Sequence, residues 1–262
     1  MKVLDMFRLD GKVAMVTGGA GKYGYQVIEA LLEAGATVYM ASRNRENNIA
    51  KLGGLIEQGY DLHIKEFDLS DEESILKLCD EVYAEAGKVD ILVNNAVLRC
   101  MSSFADDAKK FTQSMIANAT GMFVVTRAFG DRMARDGGGS IINIGSYMGI
   151  LGPDYSLYEG TDMMGPDGFP SDYFFHKGGL TQHSRFLASH YGSKNVRSNC
   201  IELGGLFANQ NPLFVERYSK KTCLGRMANM TDLKGLIVYL ASDASAYMTG
   251  VSIPLDGGYS IK

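Results

Sequence analysis

A glycine-rich turn set between an apolar run and an amphipathic stretch is the tightest constraint on what this chain can fold into. Val13-Ala14-Met15-Val16 leads into Thr17-Gly18-Gly19-Ala20-Gly21-Lys22-Tyr23-Gly24, and Val27, Ile28, Leu31 and Leu32 follow at helical spacing. Strand, glycine turn and helix together form the phosphate corner of a dinucleotide site. The glycines let the backbone approach a pyrophosphate, and the helix N-terminus presents free N–H groups to it. Gly18 and Gly24 take those roles, with Lys22 and Tyr23 beside them at the helix start. The same residues exclude a nucleotide-kinase P-loop, which needs a Gly where Val16 stands and a Ser or Thr where Tyr23 stands.

Beyond that turn, short apolar runs alternate with longer amphipathic ones. Strands are expected at 13–17, 37–41, 62–67, 91–94, 140–144, 196–202 and 251–255. Helices are expected at 23–34, 49–58, 73–85 and 109–134, around Tyr173, and over Leu233, Leu236, Ile237 and Leu240. Strands this short, separated by helices, require parallel crossovers and hence an α/β fold. The expectation is one Rossmann-type domain over residues 1–262, a doubly wound parallel sheet of about seven strands with helices on both faces. The chain has 262 residues, 46% of them hydrophobic and 21% charged, enough apolar material for a large core and too much for disorder. One stretch breaks the rhythm. Between Ser146 and Tyr173 the chain carries Tyr155, Tyr158, Glu159, Thr161, Asp162, Pro166 and Pro170 among glycines, which marks an irregular insertion at about 150–171. Because it joins two reactive elements it is expected to lie over the site as a substrate lid.

Tyr173 and Lys177 are four residues apart, one helical turn, so phenol and ammonium share a face. A free phenol holds its proton to about pH 10, and a neighbouring cation favours the phenolate, which makes the pair a usable proton donor and acceptor. Other short motifs stand in order along nearly the whole chain: Asp68-Leu69 after the third strand, Asn94-Asn95-Ala96 after the fourth, Asn118 in the long central helix, Ile144-Gly145-Ser146 ending the fifth, and Asp256-Gly257-Gly258 after Leu240-Ala241-Ser242-Asp243. With the glycine turn and the Tyr/Lys pair, they resemble the short-chain dehydrogenase/reductase family.

That resemblance implies an enzyme that interconverts a secondary alcohol and a ketone by hydride transfer with NAD(P). It implies Tyr173 as general acid in reduction and base in oxidation, Lys177 as its partner and as a ligand of the nicotinamide ribose, Ser146 as the holder of the substrate oxygen, and Asn118 as the holder of a water in the proton relay. Gly18, Lys22, Tyr23, Gly24, Ser42, Arg43, Asp68, Leu69, Asn95 and Ala96, together with Tyr173 and Lys177, are then the cofactor-binding set. It also implies a homo-oligomer, tetramer or dimer, through the central and Tyr-bearing helices, with Phe174, Phe175, Leu180 and Phe186 as apolar material for the contact. The chain departs from the family pattern at Lys22, where a glycine is usual, at Val97, at Leu203 before Gly204, and in the bulk of Phe174, Phe175 and His176 inside the Tyr/Lys turn. These mark a divergent branch.

Cofactor choice rests on the end of the second strand, where an acid grips a ribose 2′-hydroxyl and an Arg accepts a 2′-phosphate. Ser42-Arg43 stands there, so NADP(H) is expected in preference to NAD(H). Tyr155, Tyr158, Glu159, Asn209 and Gln210, with Ser146, are the candidate substrate contacts, and their polarity points to a sugar-like or polyhydroxylated substrate. The alternatives are a 3-oxoacyl thioester or steroid ketone in an apolar pocket of Met148, Met163, Met164, Leu206, Phe207 and Phe214, or a nucleotide sensor without turnover. A sensor needs the glycine turn but not the proton donor. Net charge is −4 with scattered Lys and Arg, which argues against nucleic acid. No stretch suits a secretory signal, a membrane span or a metal site, and four isolated cysteines fit a reducing compartment, so a cytoplasmic protein is expected.

Overall fold

In the computed structural model, which describes residues 2–19, 21–165 and 167–262, strand β1 (Val13–Thr17) alternates between two cores. Ala14 and Val16 enter one apolar cluster, Val13 and Met15 the other. A strand buried on both faces can lie only inside a sheet covered on both sides. The remaining strands are β2 (Thr37–Ser42), β3 (Leu62–Glu66), β4 (Ile91–Asn94), β5 (Gly139–Ile144), β6 (Val196–Leu203) and β7 (Ser252–Leu255), all parallel in the order β3-β2-β1-β4-β5-β6-β7. The doubly wound sheet expected from the alternation is therefore the observed one. Ala20 of the glycine turn and Pro166 of the long loop lie outside the described residues.

One face is covered by α1 (Lys22–Glu33), α2 (Arg45–Glu57) and α8 (Lys234–Ala241), whose Val27, Ile28, Leu31, Leu52, Leu55, Ile237 and Leu240 form the first cluster. The other is covered by α3 (Glu72–Ala86), α5 (Met122–Arg135) and α6 (Ser171–Tyr191), which supply Ile75, Leu78, Val82, Val125, Phe129, Leu187 and Tyr191. The order reverses between β1 and β4, so the loops after these strands diverge and leave a crevice at their carboxyl ends.

Two elements differ from the sequence reading. The single long helix expected at 109–134 is α4 (Ala108–Met115), a π-helical segment (Ile116–Gly121) and then α5. Its hydrophobic period runs through unbroken, so nothing in the spacing marks the wider turn. Gly121 is the trace it leaves: a Cβ there would overlap the Leu69 carbonyl oxygen, so the helix crosses β3's exit in direct backbone contact. The second is α7 (Pro212–Lys221), opened by the Asn211 cap and the Pro after it, where the sequence reading placed pocket-lining residues. Phe214 and Tyr218 of α7 are buried in a satellite core with Tyr147, Leu157, Met227 and Tyr259.

Gly121→Ala should destabilise the fold by overpacking, about 1–3 kcal/mol, which for a chain of this size lowers Tm by roughly 2–10 °C. Thermal unfolding of wild type and variant side by side checks this, and an unchanged midpoint would show that the helix does not press on Leu69.

Candidate active site

The cradle at the β1 exit is built by backbone. Gly18 has φ +72°, and a Cβ on it would lie 2.6 Å from the Ala96 backbone, while one on Gly24 would lie 2.6 Å from the Gly18 carbonyl. Asn95 ties the β4 exit to this turn, its Nδ2 donating to the Thr17 and Gly18 carbonyls at 3.1 and 2.8 Å, and Ala96 N donates to Thr17 Oγ1 at 3.2 Å. Helix α1 opens at Gly21 with no side-chain cap, so its first N–H groups face the crevice unclaimed by a capping side chain, as a bound pyrophosphate needs. The residues fit a dinucleotide. Lys22 is exposed at the first helical position. Tyr23 is used differently. Its hydroxyl donates to the Gly204 carbonyl at 2.7 Å, strapping α1 to the β6 exit, and burial pushes its phenol well above the usual range.

At the adenosine end the assignments divide. Ser42 exchanges hydrogen bonds with the fully buried Asn48, at 2.7 Å from Asn48 Nδ2, and so fixes the strand end. Arg43 is exposed and lines an open groove of about 590 Å³ with Arg45, Lys65, Asp68, Ser74 and Lys77. Asp68 Oδ1 accepts from Ser70 N at 2.9 Å and Ser70 Oγ at 2.6 Å, and these bonds, with Arg43 nearby, hold its carboxyl below the ordinary carboxylate range. Leu69 is buried beneath Gly121.

The candidate reacting groups come from the turn after β5, from α6 and from the π segment. Tyr173 lies half-buried in the first turn of α6, and the Lys177 ammonium stands 5.7 Å from its ring centroid. Lys177 is buried, and its Nζ donates to the Ile144 carbonyl at 2.6 Å, so the helix that carries Tyr173 is pinned to the end of β5. Two residues on, Ser146 is 5% exposed, and its Oγ accepts from Met148 N at 3.2 Å while its O–H stays free to donate. His176 meets the Tyr173 ring edge to face at 5.2 Å. Burial, reinforced by Lys177, pushes its pKa down to about 3, so the ring is neutral packing rather than an acid or base. Asn118 is committed to structure through its side chain: Oδ1 accepts from Leu98 N at 2.8 Å, and Nδ2 donates to Leu98 O at 2.7 Å and Ser114 Oγ at 3.0 Å. Its amide therefore clamps the β4 exit loop, and no side-chain atom of Asn118 is left over for the water expected there.

Three site features escaped the sequence reading. Arg99, exposed in the β4 exit loop, places its guanidinium carbon 5.9 Å from the Tyr173 ring centroid, and no acid pairs with it among the described residues. Its signal was available, as a cation just after Asn94-Asn95-Ala96 at the carboxyl edge of the sheet. Glu202 is a fully buried carboxyl at the end of β6, legible only as one acid inside Cys200-Ile201-Glu202-Leu203. The third is the strap from Tyr23 to the Gly204 carbonyl.

The long loop is packed rather than loose. Phe169 contacts Tyr155 at 5.0 Å and Tyr158 at 4.8 Å, and Tyr158 also meets Phe214 of α7 at 5.0 Å. Arg217 donates to the Ser156 and Glu159 carbonyls, Lys221 pairs with Asp154, and Phe104 N reaches Asp167 O at 3.3 Å, which joins the loop to the segment after Arg99. Tyr158 is thus a packing ring, while Tyr155 and Glu159 remain exposed. Gln210 spends its amide inside its own loop, accepting from Ala208 N and donating to Leu206 O, next to Asn209 at φ +56°. Leu206 and Phe214 are buried, so two of the six residues of the apolar pocket expected from sequence are core, while Met163 and Phe207 are exposed.

A dinucleotide cradle facing a Ser, Tyr and Lys at the switch point of a parallel sheet defines a nicotinamide-dependent oxidoreductase. The family model described as Enoyl-(Acyl carrier protein) reductase matches residues 23–260. The chain is 33% identical over 267 residues to the D-threitol dehydrogenase of Mycolicibacterium smegmatis, across 98% of this chain and 95% of that one. It is 29% identical over 271 residues to the galactitol 2-dehydrogenase (L-tagatose-forming) of Cereibacter sphaeroides, across 100% of both. The crystal structure of a gluconate 5-dehydrogenase from Burkholderia cenocepacia J2315, in complex with NADP and tartrate, matches at a TM-score of 0.88 and 26% identity over 100% of both chains. The chain belongs to the short-chain dehydrogenase/reductase family, and it is an NAD(P)-dependent oxidoreductase acting on CH–OH groups.

Tyr173→Phe should lower kcat by at least about a thousandfold while leaving the NADPH dissociation constant within about threefold, because the variant lacks the proton but keeps the ring. Steady-state turnover and NADPH fluorescence titration on one preparation check this. Undiminished turnover would remove Tyr173 from the chemistry.

Proposed function

We propose that the protein is an NADP(H)-preferring dehydrogenase of polyhydroxylated chains that carry an acidic end, a sugar acid in the simplest case, and that it works as a cytoplasmic homo-oligomer. When bound, the nicotinamide supplies or accepts the hydride at the reacting carbon. Ser146 Oγ holds the substrate oxygen, Tyr173 Oη gives it a proton in reduction and takes one in oxidation, and Lys177 keeps positive charge beside the phenol as that proton moves. The observation that carries the substrate reading is Arg99, an exposed guanidinium without an acidic partner among the described residues, over the ring of the proton donor. A guanidinium is built to take a carboxylate in bidentate fashion. Tyr155, Glu159, Asp162 and Asn209 add exposed polar atoms, and the long loop that bears three of them packs through Phe169 on Phe174, next to Tyr173. The relatives act in the same direction: two are polyol dehydrogenases, and the gluconate dehydrogenase holds tartrate.

NADP(H) preference rests on Arg43 in the groove beyond β2, where Ser42 rather than an acid ends the strand. Oligomerisation rests on an apolar face of α5 and α6, where Phe123, Phe175 and Phe186 are 44%, 65% and 58% exposed; Leu180, expected to join them, is buried in its own chain instead. A cytoplasmic site rests on four unpaired thiols, and among the described residues no helix is long and apolar enough to cross a membrane.

Gluconate and glucitol differ only in carboxylate against CH2OH, so the two, oxidised with NADP+, test the reading. Gluconate should be the better substrate, and Arg99→Gln should cut its kcat/KM by roughly tenfold to a hundredfold while sparing glucitol, the range of a charge-assisted hydrogen bond. Preference for glucitol, for a 3-oxoacyl thioester or for a steroid ketone would overturn it. Arg43→Ala should weaken NADPH by roughly the same factor and leave NADH unchanged, and equal losses for both cofactors would show that Arg43 does not discriminate.

A further inference from the structure

Glu202 is fully buried, yet neither nucleotide binding nor the hydride and proton steps call on it directly. Its neighbours in β6, Cys200, Ile201 and Leu203, are buried apolar side chains, and a carboxyl among them is costly unless its lone pairs are matched by donors. They are matched on three sides. Oε2 accepts from the Ser146 backbone N–H at 2.9 Å. Oε1 accepts from Thr181 Oγ1 on α6 and from Ser252 Oγ on β7, each at 2.7 Å. The turn lies directly on the carboxyl, since a Cβ on Gly145 would overlap Oε2, and the glycine there is what permits the contact.

The two ends of this turn are gripped by opposite chemistry. Lys177 Nζ donates to Ile144 O at 2.6 Å, and Glu202 accepts from Ser146 N. Thr181 closes the ring, lying one helical turn beyond Lys177, with its hydroxyl 3.1 Å from the Lys177 carbonyl and 2.7 Å from Glu202. The serine, the lysine and the helix that bears the tyrosine are thereby connected through one carboxyl.

We propose that Glu202 is a positioning residue that acts through Ser146, fixing the Ser146 hydroxyl against the Tyr173 helix. This rests on the reading of Tyr173 as proton donor, and the Tyr173→Phe control separates the two. If that variant keeps its turnover, the Tyr173 reading fails and Glu202 has no such role.

The test uses the full chain, with gluconate and glucitol oxidised by NADP+, and four variants. Glu202→Ala should lower kcat by roughly a hundredfold with the NADPH dissociation constant within about threefold, a split that loss of fold would not give. Glu202→Gln fills the same space, still accepts from Ser146 and donates to the two hydroxyls, so it should restore most of the turnover. In a Ser146→Ala background, Glu202→Ala should cost less than about threefold more, because residues that act as one unit are not additive. Full turnover in Glu202→Ala, or an undiminished loss in the Ser146→Ala background, overturns the proposal. Should Glu202→Ala fail to fold, Thr181→Val with Ser252→Ala strips Oε1 of its donors and leaves the Ser146 bond in place; a kcat lowered about tenfold supports the proposal and an unchanged kcat overturns it. Amide hydrogen exchange of the peptide spanning 144–149 gives a readout free of substrate. Exchange should speed up in Glu202→Ala and stay slow in Glu202→Gln, and equal rates in the two would contradict the contact.

Discussion

The bond from Lys177 to the Ile144 carbonyl holds the rest of the site in place. A buried ammonium needs partners, and among the described residues no acid stands within ion-pair distance of this one, so the carbonyl at the end of β5 takes its charge. That single 2.6 Å contact draws α6 onto the carboxyl edge of the sheet, and the phenol of Tyr173 arrives one turn away from the cation. Loss of the ammonium would remove this tie and leave α6 held at the sheet edge by the bond from Thr181 to Glu202.

The sheet makes this contact possible. β5 pairs with β4 and β6 in parallel register, Asn143 standing beside Asn94 and Cys200, so the chain exits of the three strands fall side by side. Asn94 bridges to Asn143 and Thr126 at 2.9 Å, and Asn95 bridges back to the glycine turn. The strand ends are thus tied by side-chain amides and hydroxyls where the backbone ladder stops, and these ties line the crevice between β1 and β4. Hydrophobic burial on the two faces supplies the stability, and the polar edge supplies the geometry.

Most of the fold was legible because its signals are local. Seven apolar runs of strand length and the patterns between them require only spacing, and the glycine turn declares itself in eight residues. The Tyr/Lys pair was legible for the same reason, since four residues of helix fix a shared face. What stayed hidden depends on the third dimension. The π segment leaves the hydrophobic period of 109–134 intact, and only Gly121 hints that a carbonyl lies against the helix. Asn118 was read from position alone, and its amide proves to be a clamp on Leu98. The loop at about 150–171 reads as an irregular lid because glycine and proline interrupt it, while its order comes from Phe169 and from α7, one of two helices between β6 and β7 where the pattern showed one. Glu202 could not be weighed at all without knowing that Gly145 rests on it.

The central proposal is that the Lys177 ammonium, which stands beside the Tyr173 ring, also takes part in holding the nucleotide. Lys177→Met, which keeps length and removes charge, tests it in a single preparation by measuring kcat for gluconate oxidation and the NADPH dissociation constant. The account predicts that both change, kcat falling by at least about a hundredfold and NADPH binding weakening by at least about tenfold. Lost turnover with unaltered NADPH affinity, or retained turnover, would contradict it.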